Sequence, residues 1–561
     1  MSAPDIVARS LACAAVADLE TLAGTSGAGR IGFRADIADA VLRPVSDILG
    51  AIGLSPADFG HLGDGDASDP DALQAFADTL STAGEGVARL GPGTYLVGLD
   101  APEAALRWSA SRGGLVGRGM DRTVLRNDNP GGGRAFEFAQ SCSRLYFADL
   151  TFDGGFGSGA ANDLEDIVFH RCRFTTRPAM AANAMKLVAD NMAGGIRRLL
   201  FVDCEFADAG RMNVEIQNHR NDGTCRYADI HFIRPRFLRA GQVATQLGMG
   251  LSLTGKGDHV TLDLPYFDGN RGPQLENAGC DRLQIRDGRI RAATAPVDVP
   301  AVSFSSRRMA YNANSQCSID GLRLVRSVGD PGGRPALRSE MVFEASEGLE
   351  LRRIVAASAA DEGTNGRHVL SFGGTGTDED GVAKTCGPVS VRDCDLSSDA
   401  LNKPVIAFNS MTGTQRVAGN RIANTNASRV GPLVAAFAQA SASAYTVQLA
   451  GNRMEGPVAH SAKSMVYRNN AAILAVEDGN AGLPVAVRTV TTIPAGATSG
   501  PLLDHGLPNQ NLRLSARPLG PVSGGGVPFG SLHTSLTKMR ANLEKAATAD
   551  VVVELHLTST P

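Results

Sequence analysis

Two glutamates are the residues of this sequence best suited to proton transfer: Glu215 in Asn213-Val-Glu-Ile and Glu276 in Pro273-Gln-Leu-Glu. Breaking an acetal bond needs one carboxyl to protonate the leaving oxygen and another to activate water, so a pair on one surface suits that chemistry. Both have polar company. Gln217, Asn218, His219, Arg220 and Asp222 follow the first, while Asp268, Asn270 and Arg271 precede the second. Such side chains hydrogen-bond hydroxyls, and Arg220 or Arg271 can pair with carboxylates. Asp268 replaces either glutamate if the register slips by a turn. The same neighbourhood suits elimination: an Arg or Asn neutralises an acidic sugar, and His219 or Lys186 removes the proton beside its carboxylate.

The elements that must position these groups are short and repeated. Ala135-Phe-Glu-Phe, Ala184-Met-Lys-Leu, Asn213-Val-Glu-Ile, Gly250-Leu-Ser-Leu and Pro273-Gln-Leu-Glu are apolar strands with a polar residue in the middle or at the end. Between them fall Arg144-Leu-Tyr-Phe, Asp166-Ile-Val-Phe, Leu199-Leu-Phe-Val, Asp229-Ile-His-Phe, His259-Val-Thr-Leu and Arg282-Leu-Gln-Ile. Copies recur roughly every 20 to 35 residues, without helical periodicity, as in a solenoid. A single coil cannot bury its apolar face, so coils stack, and the expected fold is a parallel β-helix. Alternation then places Glu137, Lys186, Glu215 and Ser252 on one exposed ladder, with Gln274 and Glu276 outward on the next coil. Strands stack about 4.8 Å apart, so two coils separate Glu215 from Glu276 by roughly 9.6 Å. Carboxyls of inverting glycosidases stand about 6.5–9.5 Å apart.

Composition fits a large β protein. The 561 residues include 65 glycines but only one tryptophan, and the net charge of −4 comes without a basic stripe, which argues against a nucleic-acid partner. No apolar run is long enough for a membrane span, and the short Leu11–Ala17 stretch does not make a signal peptide. Nine cysteines without a CxxC pair suit neither a disulfide framework nor zinc. Cys172, Cys204 and Cys394 recur in like contexts, as small residues stacked inside coils. Asp64, Asp66 and Asp69 do not make an EF-hand, since Ala75 stands where its glutamate belongs. No phosphate loop, GxSxG, HExxH or GGxGxD motif occurs, and neither a metal nor a cofactor is expected.

One stretch is more specific. Asp58-Phe-Gly-His-Leu-Gly-Asp-Gly-Asp is followed by Asp69-Pro70, a helical stripe of Leu73, Phe76, Ala77 and Leu80, and Pro92-Gly-Thr-Tyr. This resembles the start of the pectate-lyase-like right-handed β-helix superfamily. Ser26-Gly-Ala-Gly-Arg-Ile-Gly-Phe33 and Arg43-Pro-Val-Ser-Asp-Ile-Leu49 are similar to the leader of bacteriophage tailspikes, and Gly114–Leu125 resembles the superfamily's first coil. The resemblance implies a homotrimer that binds, and usually cleaves, a bacterial surface polysaccharide (capsule, exopolysaccharide or O-antigen). It also implies a virion-tail or extracellular location, with the leader contacting a phage tail or baseplate. The adjacent aspartates and Gly-His-Gly of the polygalacturonase branch are absent.

Three segments are expected: a leader over 1–57, a β-helix with a capping helix over 58–475, and a β-rich capping or trimerisation domain over 476–561. The last combines the alternation of Val485–Ile493 and of Asp550-Val-Val-Val-Glu-Leu-His-Leu with a helix near Leu536–Ala546. The acidic insert Gly373–Gly387 reads as a solvated loop.

Overall fold

The computed structural model describes most residues from 70 to 559; residues 1–69 lie outside it, as do 98–105, 293–298, 306–313, 327–339, 359–367, 374–385, 427–432, 438–443, 456–465, 505–511, 520–528, 544–549 and shorter stretches. The expected leader, the Asp58–Asp69 motif and nearly all of the acidic insert therefore fall outside the described residues. The chain is a right-handed parallel β-helix with a small antiparallel β domain at its C-terminal end. It divides into two units. The first holds the residues up to His219 with Arg226–Leu238 and Gln242–Gln246, and the second holds Arg220–Cys225, Arg239–Gly241 and the residues from Leu247 onward.

In the first unit a helix, Pro70–Ala83, starts at the proline the sequence marks and buries Leu73, Phe76, Ala77 and Leu80. Gln74 binds the backbone N–H and C=O of Arg107 through its own amide, both at 2.9 Å, which occupies the open edge of strand Leu106–Trp108. Coils of three strands follow. Strand Met185–Val188 pairs in parallel with Val214–Gln217, Ile196–Val202 with Tyr227–Ile233, and Glu205–Ala207 with Arg236–Leu238. Inward residues stack on their counterparts one coil on. Phe147, Phe169, Phe201 and Phe232 form one column with ring centroids 5.2, 4.8 and 4.6 Å apart, and Phe152, Phe174, Phe206 and Phe237 form a second. Rings in register bury large apolar areas and keep offset aromatic contacts. Strand Phe156–Ser158 adds a coil between the strands of Glu137 and Lys186, which the repeat search passes over because Gly157 stands at its outward position.

The second unit continues the pattern, with Phe343, Phe372 and Phe408 in one column and Asn420, Asn452 and Asn480 in another. Each asparagine amide also donates to a strand carbonyl, so a corner of the coil satisfies buried backbone without water. Most of the described cysteines are core residues. Seven of the described ones are buried, and burial pushes the thiols of Cys317 and Cys386 up to about 12.

The C-terminal strands form two antiparallel sheets of three strands around Ile493, Met539, Leu543, Val551, Val553 and Leu555. The helix expected near Leu536–Ala546 is instead a strand, Lys538–Asn542. Its residues are good helix formers, but Met539, Ala541 and Leu543 alternate into this core, and packing overrides propensity. No described helix is long and apolar enough to cross a membrane.

Candidate functional site

Lys186 stands directly opposite Glu215 on adjacent coils, and Val188 opposite Gln217. Val214 and Ile216 point into the core, which turns Glu215 and Gln217 to the outer face. The outward direction holds, but the expected exposure does not: Glu215 is only 4% accessible. Its Oε2 accepts a hydrogen bond from the Asn183 amide at 2.6 Å and faces Arg211 Nη1 at 3.5 Å and Lys186 Nζ at 3.6 Å. One hydrogen bond and two nearby cations on a single oxygen cover the carboxylate. The two cations stand beyond ordinary hydrogen-bond length, and both have N–H groups to spare for another anion. On the preceding coil, a Cβ at Gly157 would meet the Arg134 guanidinium at 2.7 Å, so glycine there lets Arg134 reach Glu137, at 2.8 Å.

Farther along the same two segments, His219 Nδ1 meets Asp190 Oδ2 at 2.9 Å, and the His219 backbone N–H donates to Asp190 Oδ1 at 2.8 Å. A carboxylate on Nδ1 sets the tautomer and leaves Nε2 as a proton acceptor. Nε2 has no partner among the described residues, and the imidazole is 48% exposed. Between the two clusters lies Gln217, whose Oε1 is buried without a hydrogen-bond partner among the described residues. An unpaired buried acceptor costs about 1–3 kcal/mol, which an incoming hydroxyl would recover.

Asp190, Asn183 and Arg211 were not singled out from sequence. Asp190 had a signal: it follows Lys186 at the offset by which His219 follows Glu215. Asn183 and Arg211 precede their strands in turns, where the repeat carries no pattern.

Glu215 belongs to the first unit, whereas Glu276 and Asp268 belong to the second and have other surroundings. Glu276 is half-buried and accepts a 2.8 Å hydrogen bond from Ser252 Oγ. Ser252, expected to be exposed, is 1% accessible. Asp268 accepts from the Tyr266 hydroxyl at 3.0 Å, on a strand that stacks with Arg289–Ala292 and not with the strands beside Glu276. Gln274 is not outward: it is fully buried, bonded through Oε1 to the Asn270 amide at 2.6 Å and through Nε2 to the Asn270 carbonyl at 2.9 Å. Asn270, also buried, accepts from the Ala240 N–H at 2.8 Å. These two polar residues satisfy the turn before the strand and are removed from any ligand. Asn218 is likewise buried at 3% accessibility. Arg271 is half-buried, with Nη1 3.4 Å from the Gly241 carbonyl, and Arg220 is exposed. Among the described residues no three His, Cys, Asp or Glu side chains gather as metal ligands would.

No family model matches the chain. Two mannuronan C5-epimerases of Azotobacter vinelandii, AlgE1 and AlgE3, are each 35% identical over 103 residues, 17% of this chain. The match spans only 7% and 6% of those curated relatives. Similar solved structures include the A-module of A. vinelandii mannuronan C-5 epimerase AlgE4, at 14% identity and TM-score 0.45, covering 76% of this chain and 100% of that one. Another is the tailspike protein of E. coli bacteriophage HK620 in complex with pentasaccharide, at 10% identity and TM-score 0.48, covering 94% and 96%. The fold assignment rests on the strand register above.

Proposed function

We propose that this protein binds an acidic bacterial surface polysaccharide along the outer face of its first unit and cleaves it by β-elimination. The observation that carries this reading is the His219–Asp190 pair, lying in line with the cations Lys186 and Arg211 on two adjacent coils. In the proposed step His219 Nε2 takes the proton from C5 of a uronate, the C4–O glycosidic bond breaks, and the leaving oxygen takes a proton from solvent water. The new chain end carries a C4=C5 double bond. Lys186 and Arg211 hold a neighbouring uronate, Gln217 accepts a sugar hydroxyl, and Glu215 keeps both cations in place. The short likeness to mannuronan C5-epimerases is consistent with chemistry at that carbon. Delivery of a proton to the opposite face of C5, instead of bond cleavage, would give epimerisation.

A second reading is hydrolysis on the second unit, with Glu276 as acid and Asp268 substituting for Glu215 as base. It is favoured by the half-buried Glu276 carboxylate on the Ser252 hydroxyl; Glu215, covered in the first unit, takes no part in it. Reducing ends with ultraviolet absorbance identify elimination, reducing ends alone hydrolysis, and neither a binding-only fibre. In either reading the protein is a homotrimeric tailspike-like depolymerase. Residues 1–57 would serve attachment to a phage tail or baseplate, and the C-terminal β domain would serve assembly.

A further inference from the structure

We infer that the second unit carries a separate anion-binding groove for a carboxylate-bearing saccharide, centred on Arg392 and Arg416. The groove, about 520 Å³, is lined by Glu350, Pro388, Ser390, Arg392, Thr414 and Arg416 among others. It crosses strands Leu349–Arg352, Val389–Arg392 and Gly413–Ala418, which pair in parallel with Glu350 opposite Ser390 and Ser390 opposite Arg416. Arg392 and Arg416 are thus diagonal neighbours on adjacent coils, roughly 8 Å apart from strand spacing and rise.

Charge balance sets these arginines apart from several at the coil corners. Several arginines at the coil corners are matched by a carboxylate one coil away: Arg171 by Asp149, Arg198 by Asp166, Arg234 by Asp203, Arg353 by Asp320. Arg352, Arg392 and Arg416 are exposed and have no ion pair among the described residues. Arg352 and Arg392 are moreover stacked in register, like charge against like charge, an arrangement that disfavours the bare surface and favours a bound anion. Arg392 Nε donates to Ser390 Oγ at 2.8 Å, which anchors the guanidinium and leaves its Nη groups to form a fork on a carboxylate. Ser390, Thr414 and Glu350 provide hydroxyl and carboxylate partners for sugar hydroxyls, which an inorganic anion would not need.

This inference rests on the polysaccharide reading but concerns binding without turnover, so the two fail separately. Calorimetry of the full chain with galacturonate oligomers is the test, with neutral dextran oligomers and inorganic phosphate as comparisons. The wild type is expected to bind the galacturonate oligomers, not dextran, with affinity falling as salt rises. The double variant Arg392→Gln/Arg416→Gln should lose one of two binding events, keeping the one proposed for the first unit, with an unchanged melting temperature. His219→Gln should lose cleavage while leaving the second-unit binding event as it is in wild type. No binding by wild type, equal binding by the double variant, or phosphate binding as tightly as the oligomers would each overturn the proposal.

Discussion

Arg171 donates from Nε and Nη2 to the two carboxylate oxygens of Asp149, both at 2.7 Å, and both residues hold left-handed backbone, at φ 50° and 57°. The relationship recurs: Asp203 and Arg234, on the next two coils at the same corner, repeat it at φ 53° and 50°. The bond from Arg234 holds the Asp203 carboxyl below the usual carboxylate range. The corner is therefore a column of alternating charge built on residues that sit in a region glycine prefers.

The corner residues should respond to backbone more than to charge. Asp149→Gly loses a surface ion pair worth about 0–1 kcal/mol but relieves left-handed strain, so stability should change little. Asp149→Val keeps a side chain whose β-branching opposes that conformation, and stability should fall by about 1–2 kcal/mol beyond the glycine variant. Urea denaturation of the two variants measures the difference.

Glu215→Ala should destabilise the first unit by about 1–3 kcal/mol, since it removes the acceptor shared by Asn183, Lys186 and Arg211. Glu215→Gln keeps an oxygen for Asn183 and should cost about 1 kcal/mol. If elimination by His219 is correct, Glu215→Gln retains turnover with a raised KM. A fall in kcat of about 10²-fold or more without loss of folding would instead support a direct proton-transfer role.

Acid sensitivity should come from His368. Burial, reinforced by Lys403 and opposed by its hydrogen bond to the Pro404 carbonyl at 2.8 Å, holds this imidazole down to about 4. In the unfolded chain it titrates near about 6.5. Between those values the unfolded state binds a proton that the folded state does not, so stability is complete above about pH 6.5 and declines as pH falls toward 4. His368→Asn, which can still donate to Pro404, should flatten that part of the stability–pH curve. An unchanged slope in denaturation midpoints measured across this range would contradict the assignment.

The inward half of the fold was legible because alternation is enforced by burial: Phe169, Phe201 and Phe232 stack because each occupies the inward position of its strand, in register one coil on. The outward half was less legible, because polarity does not distinguish a solvent-facing side chain from one that serves buried backbone. Gln274 and Asn270 read as ligand groups and are turn supports, and Asn420, Asn452 and Asn480 do the same at another corner. Glu215 read as exposed because its cover comes from Asn183 and Arg211, in turns without a repeat pattern. The His219–Asp190 pair was half visible: the histidine stood out by type, and the aspartate only by its offset on the previous coil.

Sedimentation of the full-length chain should show a homotrimer, and removal of the residues after about Gly479 should yield monomers or aggregates, because a solenoid end left bare exposes apolar coil. A stable full-length monomer would contradict the assembly proposed here.

Digestion of uronate-containing bacterial capsules by wild type and His219→Gln, following reducing ends and ultraviolet absorbance in the same sample, tests the central claim most directly. The predicted result is that both signals rise together with wild type. The variant, folded and still able to bind, should lose about 10²–10⁴-fold in rate. Reducing ends without absorbance, or wild-type turnover by His219→Gln, would contradict it.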